Sequence, residues 1–368
     1  MTQINIIGNF LDTSGFSIHT RELANALNKI TKVRLEAMVP ANVATQLNDQ
    51  EVEMLKREPE DDQINLIITS PIYWRLNTYA KRNWAYMIFE GDKIPKSWIS
   101  ECLNPDIEYI FVPSMHTYDA VMCMLPKEEA HKLIRVPHGV DLNKFYPKKE
   151  EVASTGNTEG VSQDASERPF VFLCNKGFRN LEDRGGIQYA IKAYLEEFNP
   201  EDKVELLIKL NPAYGIPDMN NLISQLKPDK PSPNIRIDVG NYQYKDLVKL
   251  YHEADVFVSP TRAESFNIPC TEAMACGLPV ITTDFGGQTD FCTNDTGWLV
   301  SGDLKLVEHE IQYEETKWLT PDITQLKKAM REAYATHKEK GQKVLEVAKQ
   351  FTWDSTAEKI INLTGDSK

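Results

Sequence analysis

The stretch Ser259–Asp290 reads SPTRAESFNIPCTEAMACGLPVITTDFGGQTD, and the fold turns on it. Just ahead, Val256–Val258 is a short apolar run of strand length; Thr261–Asn267 is a polar loop. Pro269 suits a helix's first position, where its missing N–H would be unpaired in any case, and the spacing predicts a helix over Pro269–Ala275. Gly277 stops that helix, Pro279 follows at the expected distance, and Val280–Thr283 reads as a second strand ending at Asp284 and Gly286–Gly287. Strand, loop, helix and strand in this order make a βαβ unit of a parallel sheet. Ligands of such sheets bind beyond the carboxyl ends of the strands.

That edge carries Glu264, with Glu272 one turn into the helix. The amides near Ser265, Phe266, Asn267 and Ile268 lie at a helix N-terminus, where an anion is favoured. Carboxylates beside an anion cradle suit a ligand with both hydroxyls and phosphate, such as a nucleotide sugar. Taken alone, Glu264 could cap the helix and Glu272 could be a solvated helix residue. The spacing E-x7-E, within Glu264-Ser-Phe-Asn-Ile-Pro and Glu272-Ala-Met-Ala-Cys-Gly-Leu-Pro-Val, resembles the signature of the retaining GT-B glycosyltransferases of family 4. That family usually has glycine where Ser265 and Asn267 stand.

Working back from this unit, Phe170–Asn175 reads as a strand, KGFRNLEDRGG (176–186) as a loop and Ile187–Phe198 as a helix. Arg179 and Arg184 stand where the family shows an Arg and a Lys, and two cations there suit a diphosphate. Val204–Leu210 and Ile235–Val239 are further strands, with helices over Asp218–Leu226 and Tyr244–His252. The resemblance places Asn241 and Tyr242 near the nucleotide base. After Gly297–Val300, helices are predicted near Gln325–Lys338 and Gly341–Gln350, then a last one after Trp353 that in the family crosses back to the first domain.

Toward the other end, Ile4–Gly8, Val33–Val39, Ile64–Thr69, Trp84–Phe89, Tyr109–Val112 and Ile134–Pro137 read as strands. Alternation with helical segments such as Ile18–Leu27 indicates a second doubly wound domain. The loop Asn9–Ser17 lacks G-x-G-x-x-G, yet Gly15, Phe16 and Ser17 match the family's loop against the donor diphosphate. Glu90 follows the strand Trp84–Phe89, where many members carry a histidine facing the donor sugar. It is the expected replacement; a surface pair with Lys93 or Arg82, or His116 or His19 reaching the cleft, are the alternatives. His138 is expected to be structural. Ser154–Ser166 is polar with few large apolar residues and reads as a flexible linker within 151–168. The expected domains are 1–150, on the acceptor side, and 169–350, on the nucleotide-sugar side, with 351–368 returning to the first.

A length of 368 residues suits two domains, and 41% hydrophobic with 26% charged residues is ordinary for a globular chain. The net charge of −13 argues against nucleic-acid partners. The six cysteines form no C-x-x-C pair, and most lie in apolar runs, so buried thiols in a reducing, cytoplasmic setting are expected. No stretch is long and apolar enough to span a membrane, and no metal-ligand spacing appears among the histidines.

The resemblance therefore implies an α/β chain with two Rossmann-like domains facing across a cleft. It implies retaining transfer of a hexose from a UDP- or GDP-linked sugar, without a metal or other cofactor. Glu264 would hold sugar hydroxyls and Glu272 ribose hydroxyls, with Arg179 and Arg184 on the diphosphate. The acceptor is left open among glycan, lipid, metabolite and protein, with peripheral membrane contact through the first domain as an option. A sugar-nucleotide epimerase, a phosphorylase with pyridoxal phosphate on a lysine, and a silent nucleotide-sugar-binding protein are the rival readings.

Overall fold

Six short strands, most of them buried and apolar, build each of two parallel sheets in the computed structural model, which describes residues 2–38, 45–148, 168–178, 183–309 and 313–365. The first sheet comprises β1 (Ile4–Gly8), β2 (Val33–Ala37), β3 (Ile64–Ile68), β4 (Arg82–Tyr86), β5 (Tyr109–Val112) and β6 (Leu133–Arg135). The second comprises β7 (Phe170–Lys176), β8 (Val204–Leu210), β9 (Asn234–Asp238), β10 (Val256–Ser259), β11 (Val280–Thr283) and β12 (Gly297–Val300). β1, β3 and β8 are buried along their whole length, the pattern of strands covered on both faces.

The covering helices are α1 (Gly15–Leu27), α2 (Asp49–Lys56), α3 (Lys96–Cys102), α4 (Met115–Met122), α5 (Ile187–Glu197), α6 (Met219–Leu226), α7 (Val248–Glu253), α8 (Ile268–Ala275), α9 (Ile323–Thr336), α10 (Gly341–Ala348) and α11 (Trp353–Ile361). The strand orders are β2-β1-β3-β4-β5-β6 and β12-β11-β10-β7-β8-β9. The order reverses between β1 and β3 in one sheet and between β7 and β10 in the other, and crevices open at such points. The α/β expectation of two doubly wound sheets is met.

Several boundaries move for local reasons. α1 starts at Gly15, not Ile18, because the Ser14 side chain accepts from the Ser17 amide and caps it. Gly15, Phe16 and Ser17 are thus the first turn of a helix. β4 pairs with β3 from Ile64↔Arg82 to Ile68↔Tyr86, so it ends three residues before the expected Phe89. Glu90 therefore sits in a loop beyond the sheet edge. The segment expected as a helix over Tyr244–His252 divides into a 3-10 turn, Tyr244–Asp246, and α7. The expected linker lies almost wholly outside the described residues, as does Arg179.

One element was not foreseen. Between β12 and α9 an antiparallel hairpin is inserted, β13 (Gly302–Leu306) with β14 (Lys317–Pro321). It is separate from both large sheets.

α11 packs against α1 of the first sheet. The Val140 amide donates to Phe351 O (2.9 Å), and Thr356 Oγ1 donates to Pro137 O (2.8 Å). A Cβ on Gly139 would lie 2.1 Å from Trp353 N, so only glycine permits this approach. Five of the six cysteines are buried thiols, and Cys123 is exposed.

Candidate active site

β7 and β10 end side by side at the reversal of the second sheet, and the residues at their ends meet. Lys176, last residue of β7, places its buried Nζ 3.2 Å from Glu264 Oε1 and 2.6 Å from Asn267 Oδ1. Asn267 precedes α8 with φ 78°, left-handed backbone that glycine favours and asparagine tolerates. The glycine usual at this place in similar sequences thus becomes a residue whose side chain also works: its Nδ2 donates to Ser259 Oγ (3.0 Å). Pro269 falls one residue later in α8 than expected, since the helix begins at Ile268.

Arg184 reaches the same carboxylate from the loop before α5. Its Nη1 is 3.2 Å from Glu264 Oε2 and donates to Ala263 O (2.8 Å). The loop's backbone is tied to the Glu264 loop, because the Arg262 amide and Thr261 Oγ1 both donate to Arg184 O (2.8 and 3.0 Å). Asp183, fully buried with its carboxyl pushed up to about 6 by burial, accepts from the amides of Gly186 and Gln188 at the head of α5. Burial pushes the Glu264 carboxyl up, but Lys176 and Arg184 more than reverse this and hold it below the usual carboxylate range.

The first sheet supplies the opposite wall. Glu90, 7% exposed, puts Oε1 3.5 Å from Arg184 Nη2. Its Oε2 accepts from the Tyr313 hydroxyl (2.7 Å). Burial raises its carboxyl above the ordinary value, against the pull of Arg184 and Tyr313. Glu90 is not the partner of Arg82 or Lys93, whose ion pairs go to Glu108 and Glu315. Nor do the alternative histidines take its place. His19 is buried in a stack with His138 (4.3 Å between ring centroids). His116 packs on Phe285 (4.7 Å).

Gly15 is exposed, and its amide donates to the Tyr214 hydroxyl across the cleft (3.0 Å). Thr13 and Asn211 join the domains in the same way. The Tyr214 ring packs on Gly177, where a Cβ would lie 2.4 Å from it, and its hydroxyl feels both Arg184 and Glu264. Glu90, Arg184, Glu264 and Lys176 thus form one connected set of contacts, and Tyr214 ties the head of α1 to it.

Other expected residues fall elsewhere. Glu272 is buried and accepts from the Tyr251 hydroxyl (2.5 Å), with Tyr244 also facing it. Burial raises its carboxyl to about 7. It is thus neither a solvated helix residue nor open to the cleft as first read: tyrosines from the neighbouring elements cover it. The Phe266 side chain turns away, onto His138, Phe291 and Phe351. Ser265 O accepts from Thr117 of the first domain (3.5 Å). Ser17 is buried under the α1 cap. Tyr242 donates to Asp238 (2.6 Å), Asn241 is exposed, and neither touches this cluster.

Sequence reasoning missed Lys176, Tyr313, Tyr214 and Tyr251. Lys176 was legible as a cation at the carboxyl end of a strand. The tyrosines carry no local signal.

Residues 179–313 match the family model described as Glycosyl transferases group 1. A GDP-mannose-dependent monoacylated alpha-(1-6)-phosphatidylinositol monomannoside mannosyltransferase of Corynebacterium glutamicum is 29% identical over 174 residues, 45% of this chain and 42% of that protein. A D-inositol 3-phosphate glycosyltransferase of Paenarthrobacter aurescens is 28% identical over 224 residues, 60% of this chain and 48% of that one. The matched regions span less than half of these two curated relatives. Among solved structures, sucrose-phosphate synthase of Thermosynechococcus elongatus superposes with a TM-score of 0.71 at 18% identity, over 99% of this chain and 98% of that one. HepE of Anabaena, solved with UDP-glucose, superposes with a TM-score of 0.66 at 13% identity, over 100% of both. These likenesses show the GT-B fold.

Proposed function

We propose, for a chain whose residues 179–313 match the glycosyl transferases group 1 model and which has the GT-B fold, a retaining transferase that moves a hexose from a UDP- or GDP-linked sugar to a hydroxyl acceptor. The observation that carries the reading is the convergence of Glu90 and Glu264, from opposite walls, on Arg184 beside Lys176.

A departing nucleoside diphosphate gathers negative charge as the glycosidic bond breaks. Lys176, Arg184 and the head of α8 supply fixed positive charge and dipoles for it. Arg179 would add a second guanidinium. These groups do the work for which other transferases need a metal, so the proposal includes no metal and no cofactor. Glu264, ionised, is suited to accept from sugar hydroxyls. Glu90 lies where positive charge at the anomeric carbon would be felt. Glu272 would accept from the ribose hydroxyls once Tyr251 yields. The names of the relatives and the UDP-glucose bound to HepE favour GDP- and UDP-hexoses as the first donors to try.

The test is a thermal-shift screen of UDP- and GDP-hexoses, followed by NMR of the sugar released from the best donor. A specific donor raises the melting temperature through its binding to the folded state. Released sugar of the donor's own anomeric configuration supports retention; the inverted anomer would refute it. Replacing both Lys176 and Arg184 by Met should abolish the shift from the diphosphate while sparing any shift from the nucleoside. Equal loss of both shifts would remove the two cations from the diphosphate site.

A further inference from the structure

The hairpin β13–β14 belongs to the second domain but closes over the first. On its own side the Leu319 amide donates to Arg262 O (2.9 Å), Arg262 Nε donates back to Leu319 O (3.2 Å), and the Arg262 guanidinium lies over the Trp318 ring. Arg262 is two residues from Glu264, so the hairpin is rooted in the loop that carries the reacting site.

On the other side it grips one short segment of the first domain. The Trp318 indole N–H donates to Glu90 O (2.9 Å). The Lys317 amide donates to Asp92 Oδ1 (2.7 Å), and Thr316 Oγ1 donates to Lys93 O (2.9 Å). Glu315 pairs with Lys96 (2.9 Å) and Lys93 (3.5 Å). Val307, Tyr313 and Trp318 are buried in the same apolar cluster as Phe89, Ile94 and Trp98 of the first domain. Gly91 makes the fit feasible, since a Cβ there would lie 2.1 Å from Thr316 Cγ2. Within this grip one side-chain bond reaches into the cleft cluster: the Tyr313 hydroxyl donates to Glu90 Oε2.

We propose that Tyr313 is a positioning residue for the transfer reaction: reaching across from the hairpin, its hydroxyl fixes the Glu90 carboxylate beside Arg184, so that transfer proceeds only with the hairpin latched over residues 90–96. This rests on the transferase reading above. It adds to it a third component of the site, one that neither sheet supplies. The groups facing the Glu90 carboxylate are Tyr313 from the hairpin, Arg184 from the loop before α5 and Glu264 from the loop after β10. Tyr313 and Arg184 favour its ionised form; Glu264 and burial oppose it. Removing the Tyr313 hydroxyl therefore makes Glu90 harder to ionise. The ring still packs on Trp318 (4.9 Å) and Phe89 (5.7 Å), so Tyr313→Phe should fold normally.

The experiment follows the Trp318 indole N–H by 15N NMR, where six tryptophans give six resonances and Trp318→Phe identifies the one. Its bond to the Glu90 carbonyl makes it a reporter that needs no turnover. In the unaltered protein this resonance should titrate with Glu90, and Glu90→Gln should abolish the titration. In Tyr313→Phe the midpoint should move to higher pH. The acid limb of kcat for the donor found above should move with it, and kcat at neutral pH should fall roughly tenfold, the worth of one charge-assisted bond, with donor Kd unchanged. An indole midpoint that stays put in Tyr313→Phe overturns the proposal. So does a moved midpoint with unaltered kcat. A moved midpoint in a protein that turns over no nucleotide sugar upholds the Tyr313–Glu90 latch and refutes the transferase reading instead.

Discussion

Glu272 shows how far burial can move one group. Its carboxyl is raised to about 7 because it is out of water, and the Tyr251 hydroxyl only partly offsets this. A carboxyl raised in the folded state lends stability that is fully present below its unfolded value and is lost as pH rises through about 7. Between those limits the loss is on the order of 3 kcal/mol. Glu272→Gln should flatten that dependence, and denaturant melts at pH 5 and pH 8 check it; parallel curves for both proteins would contradict it. If ribose hydroxyls bind the ionised form, nucleotide binding at pH 6 should also release protons. Calorimetry in buffers of different ionisation enthalpy measures that release. Glu264 and Arg184, which the structure brings together, were legible at this scale because each stands in a loop at a strand or helix end with a recognisable neighbour. The tyrosine cover over Glu272 was not, since Tyr251 and Tyr244 reach it through tertiary packing that no local spacing encodes.

At the scale of elements, α11 and α1 are held around a ring stack. His19 and His138 lie together, with Trp353 of α11 at 5.5 Å from one and 6.0 Å from the other. Among the described residues neither nitrogen of either histidine has a hydrogen-bond partner. Burial alone depresses His19 to about 3, and burial together with His19 depresses His138. Because the unfolded chain takes up these protons first, the contribution to stability is present above about 6.5 and lost as pH falls below it. At pH 5 the His19 ring costs about 2 kcal/mol relative to neutral pH, and His138 acts in the same direction. His19→Phe should reduce the acid sensitivity in urea melts at pH 5 and pH 7.5. Gly139→Ala tests the same joint without titration. Its Cβ would meet Trp353 N and Thr352 C at 2.1 and 2.4 Å, so a loss of about 1–3 kcal/mol is expected. An unchanged melting temperature would show that α11 is not seated there. Eleven strands could be read from short apolar runs between turn residues, yet the hairpin could not. β13 is mostly exposed, and the partners of the β14 side are residues 90–96, far away in sequence, so neither periodicity nor composition marks it.

Across the whole molecule, two domains read from sequence behave as one body in their packing. The largest apolar cluster runs from Ile4, Phe10 and Tyr86 through Val140 and Trp353 to Phe266, Cys270 and Val280. A second places Ala263, Val307 and Trp318 among first-domain residues. Unfolding one sheet would strip apolar cover from the other. A single cooperative heat-absorption peak is therefore expected, with calorimetric and van 't Hoff enthalpies in agreement. Two resolved transitions would mean that the shared clusters are energetically weak.

The seat of α11 also has a bearing on how the chain is made. The Trp353 ring that closes the His19 stack is synthesised roughly 300 residues after it; at about 5–20 residues per second the interval is tens of seconds. Throughout it the nascent first sheet lacks part of its final cover, with α1 open to chaperones at the ribosome. The first sheet thus emerges from the ribosome before the second, yet its cover is completed after it.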